Sequence, residues 1–241
     1  MLRAPRSPAA CFEESQRVLV PIHRAGWPFI ALFFVVSVVL GFAAQPLFWI
    51  GLVATGWCVY FFRDPPRMTP LRPGLVVAPA DGRVQWVGRA RPPAELGLGE
   101  AELTRISIFL NVFDVHINRV PVDGTVTQLE YHPGKFLNAA LDKASEDNER
   151  QSVLIETGDG RLLGVVQIAG LIARRIVCDL KAGQQVRAGE RFGLIRFGSR
   201  TDLFLPDGVA PLVAVGQRAV GGETVFADLT STEGPREARE H

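Results

Sequence analysis

The chain has 241 residues, a length that suits one sizeable domain with or without an attachment segment. Its 26 lysine and arginine residues balance 25 acidic residues, and the formal net charge of +1 lacks the basic excess that is typical of nucleic-acid-binding proteins. The cysteines, Cys11, Cys58 and Cys178, are widely spaced and form no C-x-x-C pair. This spacing argues against both a disulfide framework and a zinc site.

A long uncharged run begins near the N-terminus. Residues 29–62 contain no charged side chain, and as a single helix they would extend roughly 50 Å, against a hydrocarbon core of about 30 Å. Gln45-Pro46 lies near the middle, where a proline would interrupt a helix. The pattern predicts two short apolar helices, at 29–44 and 47–62, which form either tilted membrane spans or a re-entrant hairpin.

Arginines flank this run on both sides: Arg17 and Arg24 precede it, and Arg63 and Arg67 follow it. Positive charge at both ends favours a cytoplasmic location for residues 1–28 and for the chain after residue 62. The run is too long for a secretory signal peptide, whose apolar region has about 7–15 residues. A helical hairpin buried in a globular core is the alternative, although a core rarely requires so long an uncharged run.

Residues 63–241 are predicted to form a mostly β domain of the α+β class with antiparallel sheets. A proline-rich linker leads into short apolar runs separated by Gly, Pro and Asp, a spacing typical of antiparallel sheets. The predicted strands cover residues 75–78, 84–87, 106–110, 125–130, 152–156, 162–168 and 174–177. One helix is predicted near 135–144, where Phe136, Ala140 and Leu141 share a face.

Two stretches of this domain share one pattern. Residues 181–190 and 215–223 both fit G-Q-x-V/A-x-x-G-E, which is common in the hairpins of barrel-sandwich domains of the lipoyl and biotinyl type. The pattern indicates a fold and leaves the function open. A lipoyl-like carrier needs a modifiable lysine at a hairpin tip. None of Lys135, Lys143 and Lys181 stands in a Met-Lys-Met or Asp-Lys setting at a hairpin tip between the two repeats.

Three polar clusters could carry chemistry: 78–84 with Asp81, 110–121 with Asp114 and His116, and 196–206 with Gly198 and Ser199. Each has a simpler interpretation, respectively an Asp-Gly hairpin turn, a sheet-edge histidine bonded to backbone, and an ordinary Gly-Ser turn. Asp114 and His116 could face the same side of a strand, but two ligands make a poor metal site, so no metal is expected. The motifs G-x-S-x-G, G-x-x-x-x-G-K and H-E-x-x-H do not occur in the sequence.

In combination, the motifs resemble the short bacterial form of the phosphatidylserine decarboxylase family. After the apolar hairpin, five motifs occur in the family's order: P-A-D-G at 79–82, F-L-N-V-F-D-V-H-I-N-R-V-P-V-D-G at 109–124, N-E-R at 148–150, A-G-L-I-A-R-R-I-V-C at 169–178 and F-G-S-R-T-D-L-F-L-P at 197–206. The resemblance extends from about residue 23 to about residue 229. Each motif alone is weak, whereas five in order beside the apolar segment are specific.

The resemblance implies an enzyme that decarboxylates phosphatidylserine to phosphatidylethanolamine in phospholipid biosynthesis. It implies that the Ser199 hydroxyl attacks the Gly198 carbonyl, and that β-elimination then separates a β chain, 1–198, from an α chain, 199–241. Ser199 would become a covalent pyruvoyl group that holds the substrate as a Schiff base, with no separate cofactor site. Such an electron sink is needed because decarboxylation leaves a carbanion. Gly198 suits the cut because glycine tolerates strained backbone geometry.

The same resemblance assigns Asp81 a charge-relay role in self-cleavage. In the longer branch of the family two histidines stand three residues apart; His116 matches the first, and Arg119 replaces the second. Arg119 cannot act as a base, because arginine stays protonated in proteins. Either His116 serves both self-cleavage and turnover, or Asp81 acts more directly. In turnover we expect His116 to protonate the carbanion, since the ordinary pKa of histidine, about 6.5, lies near working pH.

Two other functions fit parts of the sequence: a membrane-anchored lipoyl-like carrier or adaptor, and a same-family decarboxylase of a related serine lipid. The expected location is the cytoplasmic face of the cell membrane, by peripheral attachment or by an inserted hairpin. The expected partners are phosphatidylserine in that membrane and, for each cleavage fragment, the other fragment in a heterodimer. A higher oligomer is compatible with the sequence.

Overall fold

The computed structural model describes residues 20–134, 148–170, 175–196, 198–236 and 238–239. The chain divides into two compact units, Met1–Pro66 and Arg67–His241. The helix predicted near 135–144 lies outside the described residues.

The described part of the first unit is a helical hairpin. A single 3-10 turn at Arg24–Gly26 leads into helix α1, Trp27–Ala43, and helix α2 spans Gln45–Phe61. Helix α1 ends because Ala44 adopts an extended conformation. Pro46 lies in the first turn of α2, where its missing N–H sacrifices no helical hydrogen bond. The helices therefore meet one residue before the predicted Gln45-Pro46 junction, and the proline starts the second helix.

Small residues lie where the two helices face each other. A Cβ added to Gly51 would stand 2.3 Å from Ser37 Oγ, so only glycine permits this close approach. Large apolar side chains point outward instead; Phe42 is 89% exposed and Val53 is 75% exposed. The helical stretch Arg24–Ala43 is long and apolar enough to cross a membrane, and α2 is apolar but shorter.

The second unit is built from antiparallel strands. In chain order they are β1 Leu75–Val77, β2 Gly82–Ala90, β3 Leu103–Leu110, β4 Ile117–Arg119, β5 Gly124–His132, β6 Arg150–Glu156, β7 Leu162–Ala169, β8 Ile176–Cys178, β9 Gln185–Val186, β10 Arg191–Ile195, β11 Ser199–Phe204, β12 Arg218–Ala219 and β13 Val225–Asp228. They form an eight-stranded sheet in the order β12-β2-β3-β11-β7-β6-β5-β9, a three-stranded sheet β4-β10-β8 and the pair β1-β13. The prediction of a mostly β, antiparallel fold is confirmed, and each predicted strand overlaps an observed one.

The main core lies on one face of the eight-stranded sheet. It includes Ile108 of β3, Val165 of β7 and Leu203 of β11, and a smaller cluster that includes Ile168 and Phe204 covers the other face. Because side chains alternate along a strand, residues 199, 201 and 203 of β11 face the main core, and residues 200, 202 and 204 face the smaller cluster.

The two G-Q hairpins form the opposite edges of the eight-stranded sheet. Strand β12 pairs with β2, placing Ala219 opposite Gly82, and β9 pairs with β5, placing Val186 opposite Gly124. The strands next to these edges, β2 and β5, each begin at an Asp-Gly turn. The two turns lie within matching segments, A-P-A-D-G at 78–82 and V-P-V-D-G at 120–124. The second unit thus has two similar halves. One contains the Asp81-Gly82 turn and the G-Q hairpin at 215–223, and the other contains the Asp123-Gly124 turn and the G-Q hairpin at 181–190.

The two halves also exchange reciprocal hydrogen bonds. The Arg119 N–H donates to the Pro79 carbonyl at 2.8 Å, and the Val77 N–H donates to the Pro121 carbonyl at 2.8 Å. These four residues correspond in pairs when the A-P-A-D-G and V-P-V-D-G segments are aligned. The second unit therefore has an approximate twofold pattern.

Candidate active site

The Gly198-Ser199 pair lies where β11 begins. Ser199 is in register with Leu110 of β3 and Ala169 of β7, and it is fully buried. Among the described residues, no hydrogen-bond partner is found for its Oγ. Gly198 has a φ of 67°, and among the described residues other than its chain neighbours no atom lies within 4 Å of the position of an added Cβ. Glycine is therefore favoured here by its backbone conformation and not by lack of space.

The Asp81-Gly82 turn lies at the same end of the sheet as Ser199. Arg83 of β2 is in register with Phe109 of β3, which is in register with Arg200 of β11. A Cβ added to Gly82 would stand 2.2 Å from the Phe109 carbonyl oxygen, so glycine is required for this turn to meet β3. The sheet thus brings together two clusters that are far apart in the sequence.

His116 is held beside the chain that precedes Ser199. Its carbonyl accepts a hydrogen bond from the Ile195 N–H at 3.3 Å, and its buried ring places Nδ1 3.1 Å from the Asp114 carbonyl oxygen. When Nδ1 donates to that carbonyl, Nε2 carries the lone pair and can accept a proton. Asp114 is itself fixed, since Arg218 donates to its Oδ1 at 2.8 Å.

The Asp81 carboxylate is buried and bonded at both oxygens. Gly221 N–H donates to Oδ1 at 2.8 Å, and Arg67 Nη2 donates to Oδ2 at 2.6 Å. Burial raises the pKa of Asp81 above its ordinary value, and the charge of Asp114 adds to this rise. Arg67, the Gly221 amide and Arg119 oppose it without cancelling it. Arg67, one of the four arginines that flank the apolar run in the sequence, therefore has a partner within the β-rich unit.

Arg119 is also buried, and its Nη1 donates to the Gly189 carbonyl at 2.8 Å. It contributes positive charge near Asp81. A guanidinium can stabilise a carboxylate or an oxyanion, but it cannot accept a proton.

A buried network of side-chain hydrogen bonds joins β4, which follows His116, to β11, which begins at Ser199. Asn118 Nδ2 donates to Thr201 Oγ1 at 3.3 Å, and Gln167 Nε2 donates to Asn118 Oδ1 at 2.8 Å. All three side chains are fully buried. Thr201 faces the same side of β11 as Ser199, and Asn118 lies two residues after His116. The network therefore connects the two segments by side chains.

The structure brings Asp81, His116 and the Gly198-Ser199 pair to one end of the eight-stranded sheet. Sequence reasoning missed Arg67 and the Asn118 network. The recognisable signal for the network was a single amide residue inside an apolar strand, as at Gln167 between Val166 and Ile168. Arg67 carried no such signal, because its partner Asp81 follows a separate proline-rich turn.

Comparison with known proteins identifies the family of the chain. The family model described as phosphatidylserine decarboxylase matches residues 54–227. The phosphatidylserine decarboxylase proenzyme of Paramagnetospirillum magneticum is 63% identical over 217 residues, which cover 90% of this chain and 90% of the relative. That of Cereibacter sphaeroides is 59% identical over 216 residues, which cover 90% of this chain and 93% of the relative. The chain therefore belongs to the phosphatidylserine decarboxylase family.

Proposed function

We propose that this chain decarboxylates phosphatidylserine to phosphatidylethanolamine with a pyruvoyl group made from its own Ser199. The observation that carries the proposal is the Gly198-Ser199 pair, a left-handed glycine followed by a fully buried serine whose Oγ has no hydrogen-bond partner among the described residues. A buried hydroxyl without a partner is costly. The Oγ atoms of Ser107 and Ser152 also have none among the described residues, so the left-handed glycine before it is what distinguishes Ser199. The word proenzyme in the names of both relatives agrees with self-processing.

Self-cleavage begins when the Ser199 Oγ attacks the Gly198 carbonyl carbon. The peptide C–N bond breaks and an ester forms, with the serine proton passing to the released amine through a neighbouring base. Loss of the Ser199 Hα and of the Cβ–Oγ bond then frees residues 1–198 with a new carboxylate at Gly198. The dehydroalanine left at position 199 tautomerises to an imine, and one water hydrolyses it to the ketone with release of ammonia.

Asp81 and His116 are the proton-transfer groups for this step. Arg119 is excluded as a base because it remains protonated. Two routes stay open: a relay from Ser199 through His116, or more direct action of the Asp81 carboxylate. Both routes require an ionised Asp81, because only the carboxylate can accept a proton or stabilise a protonated histidine.

In turnover, the pyruvoyl ketone supplies the electron sink that accepts the electron pair left by departing carbon dioxide. His116 would supply the proton to the substrate carbon from which carbon dioxide leaves. The bond from Nδ1 to the Asp114 carbonyl fixes the imidazole, so Nε2 is the atom that carries and delivers the proton. The buried surroundings exclude water, which would otherwise compete as a proton source.

The fold gives the two fragments a means of staying together after the cut. Residues 199–241 contribute β11, β12 and β13, which pair with β3, β7, β2 and β1 of the larger fragment. The Asp81–Gly221 hydrogen bond and the Asp114–Arg218 ion pair also connect the two fragments. We therefore expect a non-covalent heterodimer with a complete active site.

The apolar hairpin would hold the enzyme on the cytoplasmic leaflet, where its diacyl substrate resides. Outward-facing apolar side chains on α1 and α2 and the arginines at both ends of the run support this attachment. We expect a high-salt wash to leave the protein on membranes, because salt removes only electrostatic attachment. Complete release by salt would contradict membrane insertion.

Intact mass spectrometry of the parent protein and of two variants tests the proposed function. The parent should give fragments 1–198 and 199–241, the smaller lacking a free amine. Ser199→Ala should remain one uncut, inactive chain. His116→Ala, once cut, should decarboxylate about 100-fold or more slowly than the parent, since positioned acid–base groups contribute about that much. Decarboxylation by uncut Ser199→Ala would refute the pyruvoyl mechanism, and parent-like turnover by His116→Ala would refute the role of the histidine.

A further inference from the structure

The segment that opens the second unit is fixed against the candidate active site. Arg67, its first residue, forms the ion pair with Asp81, and the two side chains are only 13% and 10% exposed. The next residue is fixed as well, since the Met68 N–H donates to Glu223 Oε1 at 2.9 Å. Thr69 packs closely against Gly189: a Cβ added to Gly189 would lie 2.0 Å from the Thr69 Oγ1. The position of the Arg67 guanidinium is thus determined by its neighbours along the chain.

The ion pair completes the orientation of the Asp81 carboxylate. The Gly221 amide fixes Oδ1 and the Arg67 guanidinium fixes Oδ2, so the carboxylate plane is held from two sides. The equivalent residue in the other half is Asp123. It accepts the corresponding hydrogen bond from the Ala188 N–H at 2.7 Å, but it is exposed. Among the described residues no ion pair to Asp123 is found. The hydrogen bond from the backbone N–H is therefore a feature of both turns, whereas the ion pair with an arginine is found only at Asp81 among these two aspartates.

The charges around Asp81 make this difference chemically important. Arg67 and Arg119 face the carboxylate with positive charge, whereas Asp114 faces it with negative charge that Arg218 partly balances. Burial raises the pKa of Asp81, and Arg67 is the strongest of the groups that oppose the rise. Without the guanidinium, more of the carboxyl group would be protonated at a given pH.

We propose that Arg67 is a positioning residue that holds the Asp81 carboxylate in the orientation and ionised form needed for self-cleavage. This inference rests on the proposed function, in which Asp81 takes part in proton transfer from Ser199. It adds that a residue of the segment following the apolar helices completes the machinery for self-cleavage. Arg67 itself transfers no proton, because it stays protonated throughout.

The sign of the pH dependence follows from this role. Cleavage requires ionised Asp81, so its rate should rise with pH until the carboxyl group is fully ionised. Arg67→Gln removes the positive charge, raises the pKa of Asp81 further and moves the whole profile to higher pH. The profile should move by about one pH unit or more, so the rate at neutral pH should fall and recover in alkaline buffer. Arg67→Lys keeps the charge and should restore most of the rate at neutral pH.

The experiment is a pulse of cell-free synthesis of the full chain in the presence of lipid nanodiscs, followed by dilution into buffers from about pH 6 to about pH 9. Gel analysis of uncut and cut chains then gives the cleavage rate at each pH. Arg72→Gln is the matched control, because it removes another arginine–aspartate ion pair of the same segment, Arg72–Asp228, away from Asp81. The control should keep the parent profile.

Each outcome bears on a separate claim. A displaced profile in Arg67→Gln with rescue in Arg67→Lys supports the inference. A parent-like profile in Arg67→Gln, or a rate lowered equally at every pH, overturns it, the second result indicating a purely structural contact. Asp81→Asn, assayed in parallel, distinguishes failure of the proposed function from failure of the inference about Arg67. Parent-like cleavage in that variant would refute the role of Asp81 itself. Thermal unfolding of the uncut Ser199→Ala and Ser199→Ala/Arg67→Gln chains shows whether the fold is retained.

Discussion

The turns at Asp81-Gly82 and Asp123-Gly124 are built in the same way. Each aspartate accepts a hydrogen bond from a backbone N–H of the adjacent G-Q hairpin, at 2.8 Å from Gly221 and at 2.7 Å from Ala188. Each glycine approaches a neighbouring strand so closely that an added Cβ would lie 2.2 Å or 2.4 Å from a carbonyl oxygen. These shared features start the strand next to each edge of the sheet and need no catalytic explanation.

The surroundings of the two turns differ. At positions equivalent to His116 and Asn118, the other half has Gly74 and Val76, which offer no proton-transfer or amide group. Asp123 lines an open cavity of about 820 Å³, whereas Asp81 is buried against Arg67. One framework thus occurs twice, and the partners of the carboxylate make only one copy suitable for chemistry.

Removing each carboxylate charge in turn is the strongest way to break the comparison. Asp81→Asn keeps the shape and an acceptor for the Gly221 amide but cannot be ionised, so self-cleavage should slow by about 100-fold or more. Asp123→Asn makes the same change at the other turn and should cleave at the parent rate. The pulse-synthesis assay measures both rates.

Stability provides the control for this pair. Asp123→Asn weakens one exposed hydrogen bond and should lower the free energy of unfolding by about 1 kcal/mol or less. If Asp123→Asn blocked cleavage as strongly as Asp81→Asn, the two turns would share a structural role, and the assignment of Asp81 to proton transfer would be wrong.

The comparison also explains how much the sequence could predict. The antiparallel β fold and the G-Q hairpins follow from local patterns of apolar residues and glycines, which the sequence contains directly. The clusters around Asp81, His116 and Ser199 were recognisable in the sequence as groups of polar residues. The register that unites them was not predictable, because it depends on β3 and β11 pairing across a separation of about 90 residues.

The Arg67–Asp81 pair was harder still to predict. Arg67 follows an apolar run, where a positive charge normally indicates the edge of a membrane. The interpretation as a flanking charge was reasonable for Arg63 and incomplete for Arg67, whose guanidinium lies at Asp81. The contact between Arg67 and Asp81 is seen only in the folded structure, because no local sequence pattern pairs an arginine with an aspartate fourteen residues later.

A smaller effect is expected when Asn118 is replaced by Val, the residue that the other half has at Val76. Asn118→Val leaves the Gln167 amide and the Thr201 hydroxyl buried without their partner, which costs about 1–3 kcal/mol. The midpoint of thermal unfolding of the uncut Ser199→Ala chain should fall by roughly 2–10 °C. Self-cleavage should slow by about tenfold or less, because the residue positions other groups and transfers no proton.

A triple variant distinguishes this network from simple packing. Asn118→Val combined with Gln167→Leu and Thr201→Val removes all the polar partners together, so no group is left unsatisfied. Thermal stability should recover toward that of the parent, while cleavage stays slow. Full recovery of the cleavage rate in the triple variant would show that the network contributes only to stability.

The smallest effect tests how closely the Asp81 carboxylate is positioned. Gly221 occupies the position of Ala188 in the other half, and a Cβ added to it would lie 3.1 Å from Asp81 Oδ1 and 3.1 Å from the Ala80 carbonyl carbon. Gly221→Ala should therefore push the carboxylate by a few tenths of an ångström without disrupting the turn. We expect self-cleavage to slow by about two- to fivefold, since larger displacements of about 1 Å cost roughly 100-fold.

The reciprocal change, Ala188→Gly, completes the exchange between the two halves. It removes a methyl group beside an exposed aspartate, so cleavage should stay at the parent rate, and the greater freedom of the unfolded chain should cost about 0.4–1 kcal/mol of stability. The pulse-synthesis assay gives the rates, and thermal unfolding of the uncut Ser199→Ala background gives the stabilities. Slower cleavage in Ala188→Gly than in Gly221→Ala would contradict the distinction between the turns, because it would place the sensitive carboxylate at Asp123.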